Sequence, residues 1–243
     1  MLGELDRRMG TEVAGFWRSL AERVPSSEFR RLMIEAFPEI VTPYVSAAAD
    51  LGAVWYDSQP STNARFTATP AELPPVERLQ GSASWALAVG NGEQAIALLT
   101  GSAERALFDG LRDTVVDNAT REPGARWARH ASANACGFCR MLATRHVGKN
   151  ATFYSSAEAA GRVVGRRQSA MAAFNQEPRK TRGAGSLGSK YHDNCHCVAT
   201  MIRPGQTYTP PPYVEQWNED YIAASKESRD PNVIARLMDT HRH

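Results

Sequence analysis

At 243 residues the chain can hold one large or two small domains, and a composition 42% hydrophobic and 22% charged suits a protein that buries a core. No apolar run approaches the roughly 20 residues that span a bilayer, and the polar stretch from Met1 to Arg8 lacks the apolar centre of a secretory signal, so neither membrane insertion nor export is expected. The net charge of +2 is too small to argue for a nucleic-acid partner by itself.

The first half reads as helices. Val13, Phe16, Trp17, Leu20 and Val24 fall on one helical face, and Phe29, Leu32, Met33, Ala36, Phe37 and Ile40 repeat the pattern. Thr42-Pro43 looks like a helix start, a hydroxyl at the cap before a proline at the first helical position, and opens a third stripe of Tyr44, Ala47, Ala48, Leu51, Val54 and Trp55. Such stripes are read as core or helix–helix contact. Residues 57–67 are polar and read as a loop. Thr69-Pro70-Ala71-Glu72 has the form of a capping box, so a further helix is expected there, cut short by Pro74-Pro75. Helices are expected over 76–88, 93–99 and 103–118, with Leu107, Leu111 and Val115 on the buried side of the last. Glu122-Pro123-Gly124 is a break, and the main domain boundary is placed beside it.

The second half has shorter elements. Trp127 precedes a first cysteine pair, Cys136-Gly137-Phe138-Cys139, and residues 141–146 continue from it as a helical turn. A second capping box at Ser155-Ser156-Ala157-Glu158 predicts a helix to about Gly165, and the Gly- and Ser-rich stretch 183–189 reads as a mobile loop. Between Arg162 and Lys190 the residues Arg162, Arg166, Arg167, Arg179, Lys180, Arg182 and Lys190 are opposed only by Glu177. This basic insert is the candidate surface for the phosphates of double-stranded DNA, in a non-specific, salt-dependent mode; with Phe174 its only aromatic, base stacking is not suggested. The ordinary alternative is a solvated loop. Val198, Thr200 and Ile202 alternate like a strand ended by Pro204-Gly205, and Pro210-Pro211-Pro212 is a stiff linker. A helix is expected over 214–228, and Asp230-Pro231 caps a last short one carrying Val233, Ile234, Leu237 and Met238.

The four cysteines all lie in two clusters, Cys136-Gly137-Phe138-Cys139 and His192-Asp193-Asn194-Cys195-His196-Cys197. Two half-sites of soft donors at ligand spacing point to one zinc ion rather than to disulfides or four unrelated thiols, and a chain without an export signal favours metal further. Cys136 and Cys139 form one ligand pair. The second pair is Cys195 with Cys197, or His192 with either cysteine; His196 is read as pointing away. With only protein donors the site closes and is structural, a staple between distant segments. Trp127 and Phe138 are expected to cover it.

Trp127-Ala128-Arg129, the run from Ala135 to Ala143 and the run Tyr191-His192-Asp193-Asn194-Cys195-His196-Cys197 together resemble the MuF-like minor capsid proteins of tailed phages, nearest the actinobacteriophage branch whose members are often labelled capsid maturation protease. The specific part of the likeness covers about 126–204. It implies a structural minor capsid or head-morphogenesis protein inside the procapsid, associated with the portal protein, the major capsid protein or the scaffold, assembled in the host cytoplasm and retained in the virion. A capsid maturation protease and a DNA-binding internal head protein are the alternatives. The protease reading lacks a convincing nucleophile and base: Gly81-Ser82-Ala83-Ser84-Trp85 is not a GxSxG elbow, HExxH is absent, a zinc-bound thiolate is a poor nucleophile, and His130 and His146 are the remaining candidate bases. No catalytic residue is therefore assigned. A deaminase would need a His-x-Glu that His130-Ala131-Ser132 does not supply.

The expected fold is thus mainly α. It comprises an N-terminal helical docking domain over 1–122, a small zinc-stapled α/β module with its basic insert over 123–206, and a proline linker with an extended C-terminal helical arm over 207–243.

Overall fold

The computed structural model describes residues 1–146 and 195–240. It is mainly helical, with one two-stranded sheet. Among the described residues no helix is long and apolar enough to cross a membrane. The chain forms two compact units. One gathers Met1–Gln59 with Thr67–Asn118; the other takes Pro60–Phe66 and most of the described residues from Ala119 onward.

In the first unit, helix α1 (Leu2–Arg23) turns through Val24 and Pro25 into α2 (Ser26–Ser58), and the two pack side by side. Trp17 meets Phe29 edge-on at 4.7 Å between ring centroids, and the Tyr44 hydroxyl donates to Glu12 at 2.7 Å. Helix α2 runs unbroken through Pro38 and Pro43, so Thr42-Pro43 is an interior step and not a helix start. Each proline removes one backbone donor and costs about 3 kcal/mol. Burial holds the helix together: Met33, Phe37, Val41, Val45 and Tyr56 form one continuous buried stripe and contribute about 1.5–3 kcal/mol each. Helix α3 (Val76–Val89) follows the expected bounds and packs on α2. Arg30 reaches across to donate to the carbonyls of Ser84 and Leu87 in its last turn, where a cation also meets the negative end of the helix dipole.

Two further expectations fail in this unit. The segment 67–75 is not helical. Asn118 accepts from the Thr69 amide at 3.0 Å and donates to the Thr69 carbonyl at 2.8 Å, while the Thr114 hydroxyl accepts from the Ala71 amide at 2.9 Å. Side chains of the helix over Glu93–Arg121 thus take the backbone groups that a local capping box would have used. The two helices expected over 93–99 and 103–118 are one helix, α4 (Glu93–Arg121). Thr100-Gly101-Ser102 does not break it, because Leu99 and Ala103 on either side are fully buried and hold the turn between them in register.

In the second unit, the break at Glu122-Pro123-Gly124 is present, with Gly124 at φ 82° in the left-handed region that favours glycine. Strand β1 (Arg126–His130) then pairs antiparallel with β2 (Val198–Ile202), from Arg126 opposite Ile202 to His130 opposite Val198. Just beyond the Arg126–Ile202 end, Glu122 and Arg203 make a buried ion pair at 3.0 Å; Ser61 also donates to Glu122, and the Thr62 amide donates to the Pro204 carbonyl. After β1 come α5 (Gly137–Ala143) and a single 3-10 turn (Thr144–His146). The C-terminal segment contains α6 (Tyr213–Glu227) and α7 (Pro231–Thr240), close to the expected helices.

The expectation of an extended arm is corrected. Helices α6 and α7 fold back onto α5, where Val214, Trp217, Ala224, Ile234, Ala235 and Met238 are buried. A seven-residue helix cannot cover its own apolar side, and α7 supplies the missing surface. The helix expected over 155–165, the loop 183–189 and the whole basic insert lie outside the described residues.

Candidate metal centre

The β ribbon joins the two cysteine half-sites. Val198, at the start of β2, follows Cys197 directly and pairs with His130, at the end of β1. From His130 the chain needs six residues to reach Cys136. A turn closed by the Ala135 amide on the Ser132 carbonyl, 2.9 Å, delivers Cys136 to the cap position of α5. Cys139 then lies in the first turn of that helix, three residues on, a spacing that lets two thiols approach one ion.

The loop is fixed from several sides. Arg140 is buried, donates to the Ala135 carbonyl at 2.8 Å and stacks over the Trp217 ring at 5.4 Å. The Tyr213 hydroxyl donates to the Ala131 carbonyl at 2.9 Å. Asp239 of α7 accepts from the Gly137 amide at 2.7 Å. Gly137 has no alternative residue here, since a Cβ would sit 2.0 Å from the Ala235 carbonyl oxygen.

The sulfurs of Cys139, Cys195 and Cys197 all lie within 4.8 Å of one another. Their residues are 0%, 4% and 3% exposed, and no disulfide joins them. Zinc–sulfur bonds of about 2.3 Å in a tetrahedron place neighbouring sulfurs about 3.8 Å apart, so this grouping has the dimensions of a thiolate metal site. Soft sulfur donors select zinc or a comparably thiophilic ion over magnesium or calcium. Cys136 sits half-buried at the cap of the same helix. His196 is exposed, and His192 lies outside the described residues. Of the five candidate ligands, then, Cys139, Cys195 and Cys197 are brought together; Cys136, the expected partner of Cys139, does not belong to that group, and His192 lies outside the described residues.

Arg129, named in the sequence only within the Trp127-Ala128-Arg129 run, was not assigned to the site. It is fully buried on β1, and its guanidinium donates to the Cys139 sulfur at 3.7 Å. A polar residue flanked by Ala128 and His130 in a short arginine-rich run carries no burial signal. Trp127, expected to cover the site, is buried; Phe138 is half-buried. His130, a candidate base, contacts the Tyr208 hydroxyl at 3.4 Å, and burial holds its pKa below the usual histidine value. Burial also pushes the Tyr208 hydroxyl up to about 12, so it stays protonated. The basic candidates Arg162, Arg166, Arg167, Arg179, Lys180, Arg182 and Lys190 lie outside the described residues.

No curated protein and no solved structure matches the chain. The family model described as VG15 protein matches residues 1–224, which takes in every described cysteine, both strands and helices α1 to α5. The chain therefore belongs to the VG15 protein family, a viral family of phage type.

Proposed function

We propose that this chain is a structural minor capsid or head-morphogenesis protein of a tailed phage, inside the procapsid against the portal protein or the inner shell, with a zinc-stapled module. The observation that carries the reading is the buried group of Cys139, Cys195 and Cys197 in a chain of a phage-type family. Zinc bound there supplies a cross-link between segments far apart in sequence. Cys136 or His192 is the fourth donor, and the site is then closed to a water nucleophile. Burial of the three sulfurs supports a staple over a catalytic thiol, which needs access to substrate.

Quantitative mass spectrometry of purified mature particles tests the function. Full-length chain at low copy relative to the major capsid protein is the expected result. Absence of the chain from particles, or its self-cleavage together with a trimmed capsid protein, would favour the maturation-protease reading instead. The basic stretch from Arg162 to Lys190 supports a further contact with packaged double-stranded DNA. Binding of the purified chain to duplex DNA should weaken steeply with salt, and absence of binding at low salt removes this partner.

A further inference from the structure

We infer that Arg129 is a positioning residue of the thiolate centre, its guanidinium orienting the Cys139 sulfur and balancing the charge that the bound thiolates leave behind. The inference rests on the metal-centre reading above. Three thiolates around a divalent cation leave one negative charge, and a fourth leaves two. Cys139 and its neighbours in the group are buried, where a charge without a compensating partner is costly. Arg129 supplies the opposite sign at that place: it is 0% exposed, and its Nη1 donates to the Cys139 sulfur at 3.7 Å.

The backbone makes this contact specific. Arg129 pairs with Ala199 in the ribbon, and Ala199 is two residues beyond Cys197. One rung of the sheet therefore fixes the guanidinium relative to the second cysteine half-site, while the hydrogen bond fixes it relative to the first. Arginine suits the role better than lysine, because its planar fork remains charged under all ordinary conditions and donates in fixed directions. Partners that orient metal ligands in this way commonly alter metal affinity by about 10–100-fold when removed.

The test uses the full chain loaded with Co(II), whose thiolate-to-metal charge-transfer band reports directly on the bound sulfurs. Wild type, Arg129→Met and Arg129→Lys are compared for folding by circular dichroism, for Co(II) affinity by competition with a chelator, and for band energy. Arg129→Met is expected to bind about 10–100-fold more weakly, with a displaced band. Arg129→Lys should recover most of the affinity but not the band position, since it restores charge without the fork; a purely structural role would not separate the two readouts. A folded Arg129→Met with wild-type affinity and an unmoved band overturns the inference. Should Arg129→Met not fold, Arg129→Lys decides: a displaced band supports the role and an unmoved one refutes it. A wild-type chain that gives no thiolate charge-transfer band removes the metal centre itself, a failure distinct from that of Arg129.

Discussion

Replacing Gly137 with alanine sets a local preference against a tertiary contact. On a helix with open space this change stabilises by roughly 0.5–1 kcal/mol, because glycine loses more backbone freedom on folding. Here the new Cβ would lie 2.0 Å from the Ala235 carbonyl oxygen and 2.9 Å from the Asp239 amide nitrogen. Both are backbone atoms of α7, so no side-chain rotation relieves the clash. Reaching the 3.4 Å of ordinary contact requires a shift of about 1.4 Å between α5 and α7. Overpacking of this kind costs about 1–3 kcal/mol. The shift also stretches the hydrogen bond from the Gly137 amide to Asp239 and begins to expose Ile234 and Met238, now 2% and 0% exposed. Complete loss of either side chain's burial would add about 1.5–3 kcal/mol. The expected net effect is a destabilisation of about 2 kcal/mol or more, with α7 loosened first. Limited proteolysis read by mass spectrometry should show earlier cleavage near Ser228–Asp230, and thermal unfolding should show a lower midpoint. A variant as stable as wild type, with an equally protected C-terminal helix, would refute the packing argument.

Three further predictions concern groups that the fold buries. Glu122→Ala leaves the Arg203 guanidinium buried without its carboxylate and should cost about 3–5 kcal/mol in urea denaturation; a loss under about 1 kcal/mol would show that water replaces the pair. Asn118→Ala removes both hydrogen bonds that pin Thr69, and a third to the Thr114 carbonyl at 2.6 Å. About 2 kcal/mol should be lost, with faster amide exchange at Thr69, and unchanged exchange there would count against the account. The third concerns pH. Burial lowers the His130 pKa in the folded chain, so below the unfolded value of about 6.5 the unfolded state binds more protons. Stability linked to His130 is therefore full above that pH and falls as pH drops through it toward the folded value. His130→Gln should show a smaller drop in denaturation midpoint between pH 7.5 and 5.5 than wild type; the comparison separates this effect from metal loss, which acts on both proteins. Equal drops would remove His130 as a contributor.

Where periodicity was strong and local, the sequence was a sound guide. Helix α3, the helical turn after Cys139, strand β2 and helices α6 and α7 lie close to their expected places, because their apolar spacing agrees with their environment. It misled where distant groups took over local roles. Thr42-Pro43 and Thr69-Pro70-Ala71-Glu72 both read as helix starts; α2 overrides the first by burying a continuous stripe, and Asn118 and Thr114 override the second by bonding its backbone. Strand β1 was missed because it does not alternate: Trp127, Ala128 and Arg129 are all buried, on both faces of the ribbon.

The candidate site divides in the same way. The cysteine spacing alone determined that two half-sites of soft donors exist, because donor chemistry and short-range spacing are properties of residue type and of adjacent backbone. Only the tertiary structure decided that Cys139, Cys195 and Cys197 meet, that a buried arginine reaches one of them, and that the C-terminal helix covers the cysteine helix. These contacts link residues tens of positions apart. Their existence depends on strand register and on a backbone approach that only Gly137 permits, neither of which leaves a local trace in the chain.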